Sequence, residues 1–241
     1  MKNIYSNIFS FNKKTLHKSI VSLKKGNVIG LPTETVYGLA GNAYSKIAVQ
    51  KIYKLKKRPK KNPLIVHYLN CKEAARDVIF NTDFYKLYKR FCPGPITFVL
   101  RKKNNSKIQS SVTAKLNTVA IRFPSHRTTR SVLKKLNFPL AMPSANLSSG
   151  ISPVNALDVS DEFKKKIKII INSGNSKIGI ESTVVSLIGK PKILRPGIIA
   201  AKTIKKFLKV SIIKKSSKIS SPGMLKKHYS PGIPVLLNQK R

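Results

Sequence analysis

Short apolar runs alternate with amphipathic stretches along most of the chain. The first amphipathic stretch carries Leu16, Ile20 and Leu23 on one helical face, which predicts a helix over 11–25 that ends at Gly26. Further helices are predicted over 45–57, 72–79, 83–91 and 126–136, with another one closing at 161–165. Apolar runs predict strands over 28–31, 64–68, 96–101, 118–122, 140–142, 167–171, 182–187 and 192–194. This alternation predicts an α/β domain with an open sheet.

The second predicted helix leads directly into the most polar part of this pattern. Ser45 is placed to cap its start, and Pro59 follows its end. Ile47, Ile52 and Leu55 lie roughly on one side and predict the buried face.

The charge balance is extreme, with 48 Lys and Arg against 8 Asp and Glu and a formal net charge of +40. A polyanionic partner would favour such a field, because neutralised phosphates release counterions. The alternative is codon bias, since most of these cations are lysine and the chain is also rich in Ile and Asn. We favour codon bias, with non-specific RNA binding as its by-product.

Several classes of protein are excluded by composition. No apolar run approaches the ~18 residues that a membrane span requires, so no membrane association is expected. The polar N-terminus lacks the apolar core of a secretory signal. Cys71 and Cys92 have neither CxxC spacing nor clustered His partners, which predicts two reduced thiols in a cytoplasmic protein and no protein-bound metal.

Two segments carry the candidate chemistry. The first, over 31–40, places hydroxyls, one carboxylate and one phenol between apolar edges. The second, over 54–67, sets cations and the Asn62 amide ahead of an apolar strand that ends on His67. Open α/β sheets bind ligands at the carboxyl ends of their strands. The two segments therefore predict the mouth of a pocket for a polyanion, although a lone histidine after a strand is more often structural.

The cations of the second segment fall into two groups. Lys57, Lys60 and Lys61 are interpreted as a solvated lysine run. Lys56 and Arg58 differ because they lie at a helix end against a proline, where the backbone is constrained. Such a junction can hold two cations at one phosphate chain, with Arg giving a forked grip and Lys a point charge.

Other polar elements lie directly before or after predicted strands. Ser144 and Asn146 lie two residues apart and can offer a hydroxyl and an amide on one side, although both residue types are common in turns. Glu181 adjoins two hydroxyl residues, as Glu34 does in the first segment. Arginine is the minority cation, and two of the arginines end or adjoin strands, at Arg122 and Arg195.

Familiar nucleotide and nucleophile motifs are absent from the sequence. There is no GxxxxGK[ST] loop, no GxGxxG fingerprint, and no serine elbow or catalytic Cys–His pair. Any nucleotide chemistry must therefore depend on positioning and cationic stabilisation, without a covalent intermediate.

Taken together, these motifs resemble the YrdC-like threonylcarbamoyl-AMP synthases. They occur in the family's order: Pro32-Thr-Glu-Thr-Val-Tyr-Gly38, Lys56-x-Arg58-Pro59, Asn62-Pro-Leu-Ile-Val-His67, Pro93-Gly-Pro-Ile-Thr97, Val119-Ala-Ile-Arg122, Pro143-Ser-Ala-Asn146, Glu181-Ser-Thr-Val184 and Leu194-Arg-Pro-Gly197. The resemblance implies an open, twisted mixed sheet flanked by helices. It also implies the synthesis of L-threonylcarbamoyl-AMP from L-threonine, bicarbonate and ATP, with release of pyrophosphate.

The same resemblance implies residue roles. The signature polar tetrad around the nucleotide corresponds to Lys56, Arg58, Ser144 and Asn146, and further ATP contacts correspond to Asn62, Thr118, Ser152, Arg195 and Tyr229. The threonine site corresponds to Thr35, His67, Arg122, the backbone at Met142, and Ser182. Mg²⁺ is expected on the phosphates of ATP, and the product is expected to feed the machinery that modifies tRNA next to the anticodon.

The resemblance also predicts the division of the chain. Residues 12–208 are expected to form the catalytic domain, and 209–241 a C-terminal linker tail with the truncated start of a further domain. The run over 214–221 is rich in Lys and Ser and too poor in apolar residues to pack by itself. Two other functions remain open: a carbamoyltransferase domain of the hydrogenase-maturation type, and an RNA-binding module without catalysis.

Overall fold

A computed structural model describes residues 5–212 of the chain. The helices are α1 (Lys13–Lys24), α2 (Lys46–Lys56), α3 (Cys71–Ala74), α4 (Thr82–Phe91), α5 (Arg127–Lys134), α6 (Ala156–Phe163) and α7 (Ala201–Lys205), with a 3₁₀ turn at Lys164–Lys166. The strands are β1 (Ile8–Ser10), β2 (Ile29–Leu31), β3 (Gly38–Asn42), β4 (Ile65–His67), β5 (Val78–Ile79), β6 (Ile96–Lys102), β7 (Thr118–Arg122), β8 (Leu140–Ala141), β9 (Ile170–Asn172), β10 (Thr183–Ser186), β11 (Lys192–Arg195) and β12 (Ser211–Ile212).

The strands form one mixed sheet in the order β1-β9-β2-β3-β8-β4-β7-β6-β10-β11-β12, and β5 pairs with β6 beside this path. The pairs β4–β7 and β6–β10 are parallel, while β8 runs antiparallel to both β3 and β4. Helices cover the sheet through apolar faces that bury a large core. The predicted α/β architecture with a mixed open sheet is confirmed.

Helix α2 shows how local sequence positions the site. Ser45 caps it as predicted, since its side chain accepts from the backbone N–H of Ala48. Lys57 ends the helix in the left-handed region, at φ 49°. The predicted apolar face is wrong in one member: Ile47 is 62% exposed, because the buried stripe runs through Val49 and Ile52 instead.

The helix predicted over 72–79 is also wrong. The structure has the four-residue helix α3, capped by Asn70, followed by the short strand β5. The chain leaves the helix because Asp77 turns inward, where its carboxylate accepts from the hydroxyls of Tyr44, Tyr68 and Ser106 at 2.5, 2.8 and 2.6 Å. A helix continued through this point would forfeit those three hydrogen bonds.

In the described part of the chain, no helix is long and apolar enough to cross a membrane. The predicted boundary at residue 209 stays a prediction, and most of the predicted linker lies outside the described residues.

Candidate active site

The carboxyl ends of several strands meet at one open cleft. Because β4 and β7 are parallel, their last residues, His67 and Arg122, are register partners and lie side by side. Lys56 comes from the end of α2, and Ser182 directly precedes β10. Twelve of the fourteen predicted site residues line this cleft: Thr35, Lys56, Arg58, Asn62, His67, Arg122, Met142, Ser144, Asn146, Ser152, Ser182 and Arg195.

Two predicted residues are not among those that line the cleft. Thr118 begins β7 and pairs with Arg101, so it lies at the opposite end of that strand from Arg122. Tyr229 lies outside the described residues.

The cleft also has lining residues that the sequence motifs did not single out as contacts. They are Thr33, Val36, Tyr37, Gly38, Ile65, Pro143, Ser148, Ser149, Gly150 and Glu181. The run of Ser and Gly over 148–150 could have been found by extending the strand-to-turn motif at 143–146 by four residues.

The hydroxyl-rich segment after β2 folds into a tight turn. Thr33 Oγ1 donates to the Val36 carbonyl at 2.6 Å and lies 2.8 Å from Thr35 Oγ1. The loop between β9 and β10 pairs with this turn, since the Gly179 N–H donates to the Thr35 carbonyl at 2.9 Å. Both threonine side chains are buried. The hydroxyls therefore form one wall of the cleft in a fixed orientation.

Lys56 is buried beneath the 143–146 segment. Its Nζ donates to the Ser144 carbonyl at 2.5 Å and to the carbonyl of Asn146. Burial, and to a smaller extent the charge of the Arg58 guanidinium, lowers the pKa of this amine to about 7, against the opposing effect of the Glu181 and Glu162 carboxylates. A buried amine with such a pKa changes charge near neutral pH, a property common at functional sites.

Arg58 is held by its own loop. Its Nε donates to the Asn62 carbonyl at 2.9 Å, and its Nη2 donates to Asn62 Oδ1 at 2.7 Å and to the Pro63 carbonyl at 2.6 Å. Burial lowers the pKa of Arg58 to about 10, so the guanidinium keeps its charge at neutral pH. Asn62 therefore orients the arginine while both side chains line the cleft.

At one end of the cleft, Arg122 pairs with Glu34. Arg122 Nη2 donates to Glu34 Oε1 at 2.5 Å, and Glu34 Oε2 accepts from the N–H groups of Ser125 and His126 at 3.1 and 3.3 Å. Burial raises the pKa of Glu34, but the Arg122 charge and these hydrogen bonds outweigh it and lower the pKa overall. The carboxylate is therefore ionised at neutral pH.

His67 lies beside this pair and is also buried. Burial lowers its pKa to about 3, and the Arg122 charge contributes in the same direction. The imidazole is therefore neutral at pH 7 and can offer one donor and one acceptor to a ligand.

At the other end, Arg195 pairs with Glu181, whose second oxygen accepts from the Ser152 hydroxyl at 3.1 Å. Arg195 Nη2 also donates to the Ser182 carbonyl at 2.9 Å and to the Ser182 hydroxyl at 3.1 Å. The Ser182 hydroxyl in turn lies 2.7 Å from that of Thr97. This network positions the segment that precedes β10.

The cleft is cationic but has no metal cage. Among residues 5–212, no group of three or more His, Cys, Asp or Glu side chains is arranged to hold a metal ion. Four cationic side chains line the cleft, and the two carboxylates beside it are each paired with an arginine. The arrangement suits a polyanionic ligand together with a small ligand that carries a carboxylate.

Comparisons with known proteins agree with this chemistry. Residues 21–197 match the Sua5_yciO_yrdC family, described as "Telomere recombination", and 199–241 match a family described as "Threonylcarbamoyl-AMP synthase, C-terminal domain". The chain is 36% identical over 225 residues to the threonylcarbamoyl-AMP synthase of Pyrococcus abyssi, covering 89% of this chain and 65% of that one. It is 37% identical over 235 residues to the Bacillus subtilis protein of the same name, covering 95% and 68%. The chain thus spans about two thirds of the length of these relatives.

Solved structures give the same result. The crystal structure of P. abyssi Sua5 complexed with L-threonine superimposes with a TM-score of 0.88 at 34% identity, covering 92% of this chain and 68% of that one. E. coli YciO superimposes with a TM-score of 0.74 at 21% identity, covering 82% and 98%, which shows a shared fold alone.

Proposed function

Since this chain belongs to the Sua5/YciO/YrdC family, we propose that its cleft makes L-threonylcarbamoyl-AMP from L-threonine, bicarbonate and ATP, releasing pyrophosphate. The observation that carries the proposal is the convergence of twelve residues, from segments far apart in the chain, on one cationic cleft. Within that cleft, the Arg122 end suits a carboxylate and the Lys56–Arg58 end suits a phosphate chain.

Threonine would bind at the Arg122 end. Its carboxylate would accept from Arg122, whose guanidinium is oriented by Glu34. Its hydroxyl would hydrogen-bond in the wall that includes Thr35, and this bond would discriminate against analogues without the hydroxyl. Neutral His67 would add a polar contact without placing a second cation beside the substrate amine.

The reaction would then proceed in two steps. The neutral threonine amine attacks the carbon of carbon dioxide or bicarbonate and forms a carbamate. With carbon dioxide the nitrogen releases one proton to solvent, and with bicarbonate one water molecule is lost. A carbamate oxygen next attacks the α-phosphorus of ATP, the bond to the bridging oxygen breaks, and pyrophosphate leaves with the electron pair. Bound side by side, the reactants avoid most of the entropic cost of a bimolecular encounter.

Lys56 and Arg58 would offset the charge that develops on the departing pyrophosphate. Mg²⁺ would be carried by the phosphates, because the nearby carboxylates Glu34 and Glu181 are already paired with arginines. Ser144, Asn146, Asn62, Ser152, Arg195 and Tyr229 are proposed as further nucleotide contacts. Thr118 is not among the residues that line the cleft, so its contact with ATP stays a prediction. We further propose a cytoplasmic role in supplying the threonylcarbamoyl group to tRNA.

The test is pyrophosphate release that requires threonine and bicarbonate together. In Arg58→Ala and Lys56→Ala the rate should fall by about 10²–10³-fold, the usual effect of removing one group that stabilises transition-state charge. Lys60→Ala is the matched control, because it removes an exposed cation from the same segment and should keep the wild-type rate. Pyrophosphate release that proceeds equally well without threonine would contradict the proposal.

A further inference from the structure

Three buried side-chain nitrogen or oxygen atoms have no hydrogen-bond partner among residues 5–212. They are His67 Nδ1, Arg122 Nε and Ser148 Oγ, and all three residues line the same cleft. A buried polar atom left without a partner costs ~1–3 kcal/mol, so folded proteins satisfy nearly all of them. The concentration of all three in one cleft indicates positions where a ligand supplies the missing partner.

Two of these atoms lie at the threonine end and are explained by the proposed function. Ser148 is not explained in this way. It lies in the turn over 146–150 that continues the strand-to-turn motif, and its backbone N–H donates to the Lys56 carbonyl at 2.9 Å. That bond joins Ser148 to the last residue of helix α2, the proposed phosphate anchor Lys56, which lies two residues before the second proposed anchor, Arg58.

Hydrogen bonds hold the backbone of this turn in place, and the Ser148 hydroxyl takes part in none of them. Asn146 Nδ2 donates to the carbonyls of Leu147 and Gly150 at 2.7 and 2.8 Å and so spans the turn. The Leu147 N–H donates to Glu162 Oε1, on α6, at 2.6 Å. These bonds fix the backbone of the turn that carries the Ser148 hydroxyl.

We infer that Ser148 is a substrate-contacting residue whose hydroxyl donates to a phosphate oxygen of the bound nucleotide. This inference rests on the proposed function. The phosphate chain is the favoured partner because Lys56 and Arg58 line the same cleft, and hydrogen bonds to anionic oxygens are stronger than those to neutral ones. The left-handed backbone of Ser149, at φ 76°, turns the chain sharply directly after the hydroxyl.

The test is Ser148→Ala. Loss of a hydrogen bond to a charged group should raise the Kd for ATP by roughly tenfold or more, while the Kd for L-threonine stays unchanged. The Tm of the ligand-free variant should equal or exceed that of the wild type, because the hydroxyl that is removed has no partner in the described part of the chain. A merely structural serine would show the opposite pattern, with a lower Tm and an unchanged Kd for ATP.

Ser106→Ala is the matched control. Its hydroxyl donates to Asp77 Oδ1 at 2.6 Å, away from the cleft, so its loss should lower the Tm and leave the Kd for ATP unchanged. Binding of pyrophosphate and of adenosine to Ser148→Ala then locates the contact. Weaker pyrophosphate binding supports the phosphate assignment, whereas weaker adenosine binding alone overturns it.

The two proposals fail in different ways. If the wild-type chain binds ATP but releases no pyrophosphate with threonine, the proposed function is wrong. If the wild type is active and Ser148→Ala binds ATP as tightly as the wild type, only the assignment of Ser148 is wrong.

Discussion

The two ends of the cleft use the same device, a buried Glu–Arg pair, for different tasks. At the threonine end, Arg122 makes one bond to Glu34, and its buried Nε has no partner among the residues that the structure describes. At the nucleotide end, Arg195 directs Nε, Nη1 and Nη2 to Glu181 and Ser182. Arg122 therefore keeps one N–H donor that can bind a ligand, whereas Arg195 stabilises the backbone at the start of β10.

The difference shows that a charged residue at a strand end has two possible roles. In a chain with only 8 acidic residues, two are buried beside this cleft, each against one arginine. Removing either partner leaves a charge buried without its counterion, which is costly. The pairs therefore hold the cleft in shape before any substrate binds.

The largest effect is expected for Glu34→Ala. This substitution leaves the buried Arg122 guanidinium without its counterion and should lower the free energy of unfolding by ~3–5 kcal/mol. In the double variant Glu34→Ala/Arg122→Met, much of that stability should return because no charge remains buried, but threonine binding should not. Chemical denaturation and threonine titration measure the two quantities. A double variant that regains threonine affinity would contradict the role given to Arg122.

An intermediate loss of stability is expected when alanine replaces either of two glycines, Gly197 and Gly38, one at each end of the cleft. A Cβ on Gly197 would lie 2.4 Å from the Thr183 nitrogen and 2.6 Å from the Glu181 carbonyl, both backbone atoms that cannot move aside. A Cβ on Gly38 would meet the flexible side chain of Met142 at 2.4 Å. Gly197→Ala should therefore lower the free energy of unfolding by ~1–3 kcal/mol or more, and Gly38→Ala should lower it by less.

Thermal unfolding compares these two variants directly. Gly38→Ala should instead raise the KM for threonine, since Met142 and Gly38 both line the cleft. Equal losses of Tm in the two variants would show that Met142 is as rigid as backbone.

The smallest effect is expected in the pH dependence of binding, which should differ between ATP at one end of the cleft and threonine at the other. The lowered pKa of Lys56, about 7, means that its charge is lost as pH rises through 7, so the Kd for ATP should increase a few-fold between pH 6 and 8. Glu34 has a lowered pKa and His67 a pKa of about 3, so neither changes charge in this range. Isothermal titration at several pH values should show a much flatter Kd for threonine, and parallel profiles would contradict this assignment.

The same shifts set the pH dependence of stability. Glu34 has a folded-state pKa below its ordinary value, so its contribution is present above about pH 4.5 and is lost as pH falls through the folded pKa. Lys56 is neutral in the folded chain and charged in the unfolded chain between about pH 7 and 10.5, so its unfavourable contribution lessens as pH rises through that range.

Several elements could be predicted because their signals are local. The run over 118–122 matches β7, and the Ser45 cap marks the start of α2, since apolar periodicity and capping depend on neighbours within one or two turns. Strand β3, with the sequence GLAGN, was missed because small residues carry little strand propensity. It exists because β2 and β8 pair with it on both sides.

The same distinction between local sequence signals and long-range contacts applies to the candidate site. Local sequence was enough to identify the polar residues near strand and helix ends, and eleven of them line one cleft together with Met142. How these residues are used depends on the folded arrangement: Glu34 meets Arg122 across 88 residues, and the Ser148 hydroxyl has no partner among residues 5–212. Strand order and packing bring such groups together, and neither is encoded in the spacing of residues along the chain.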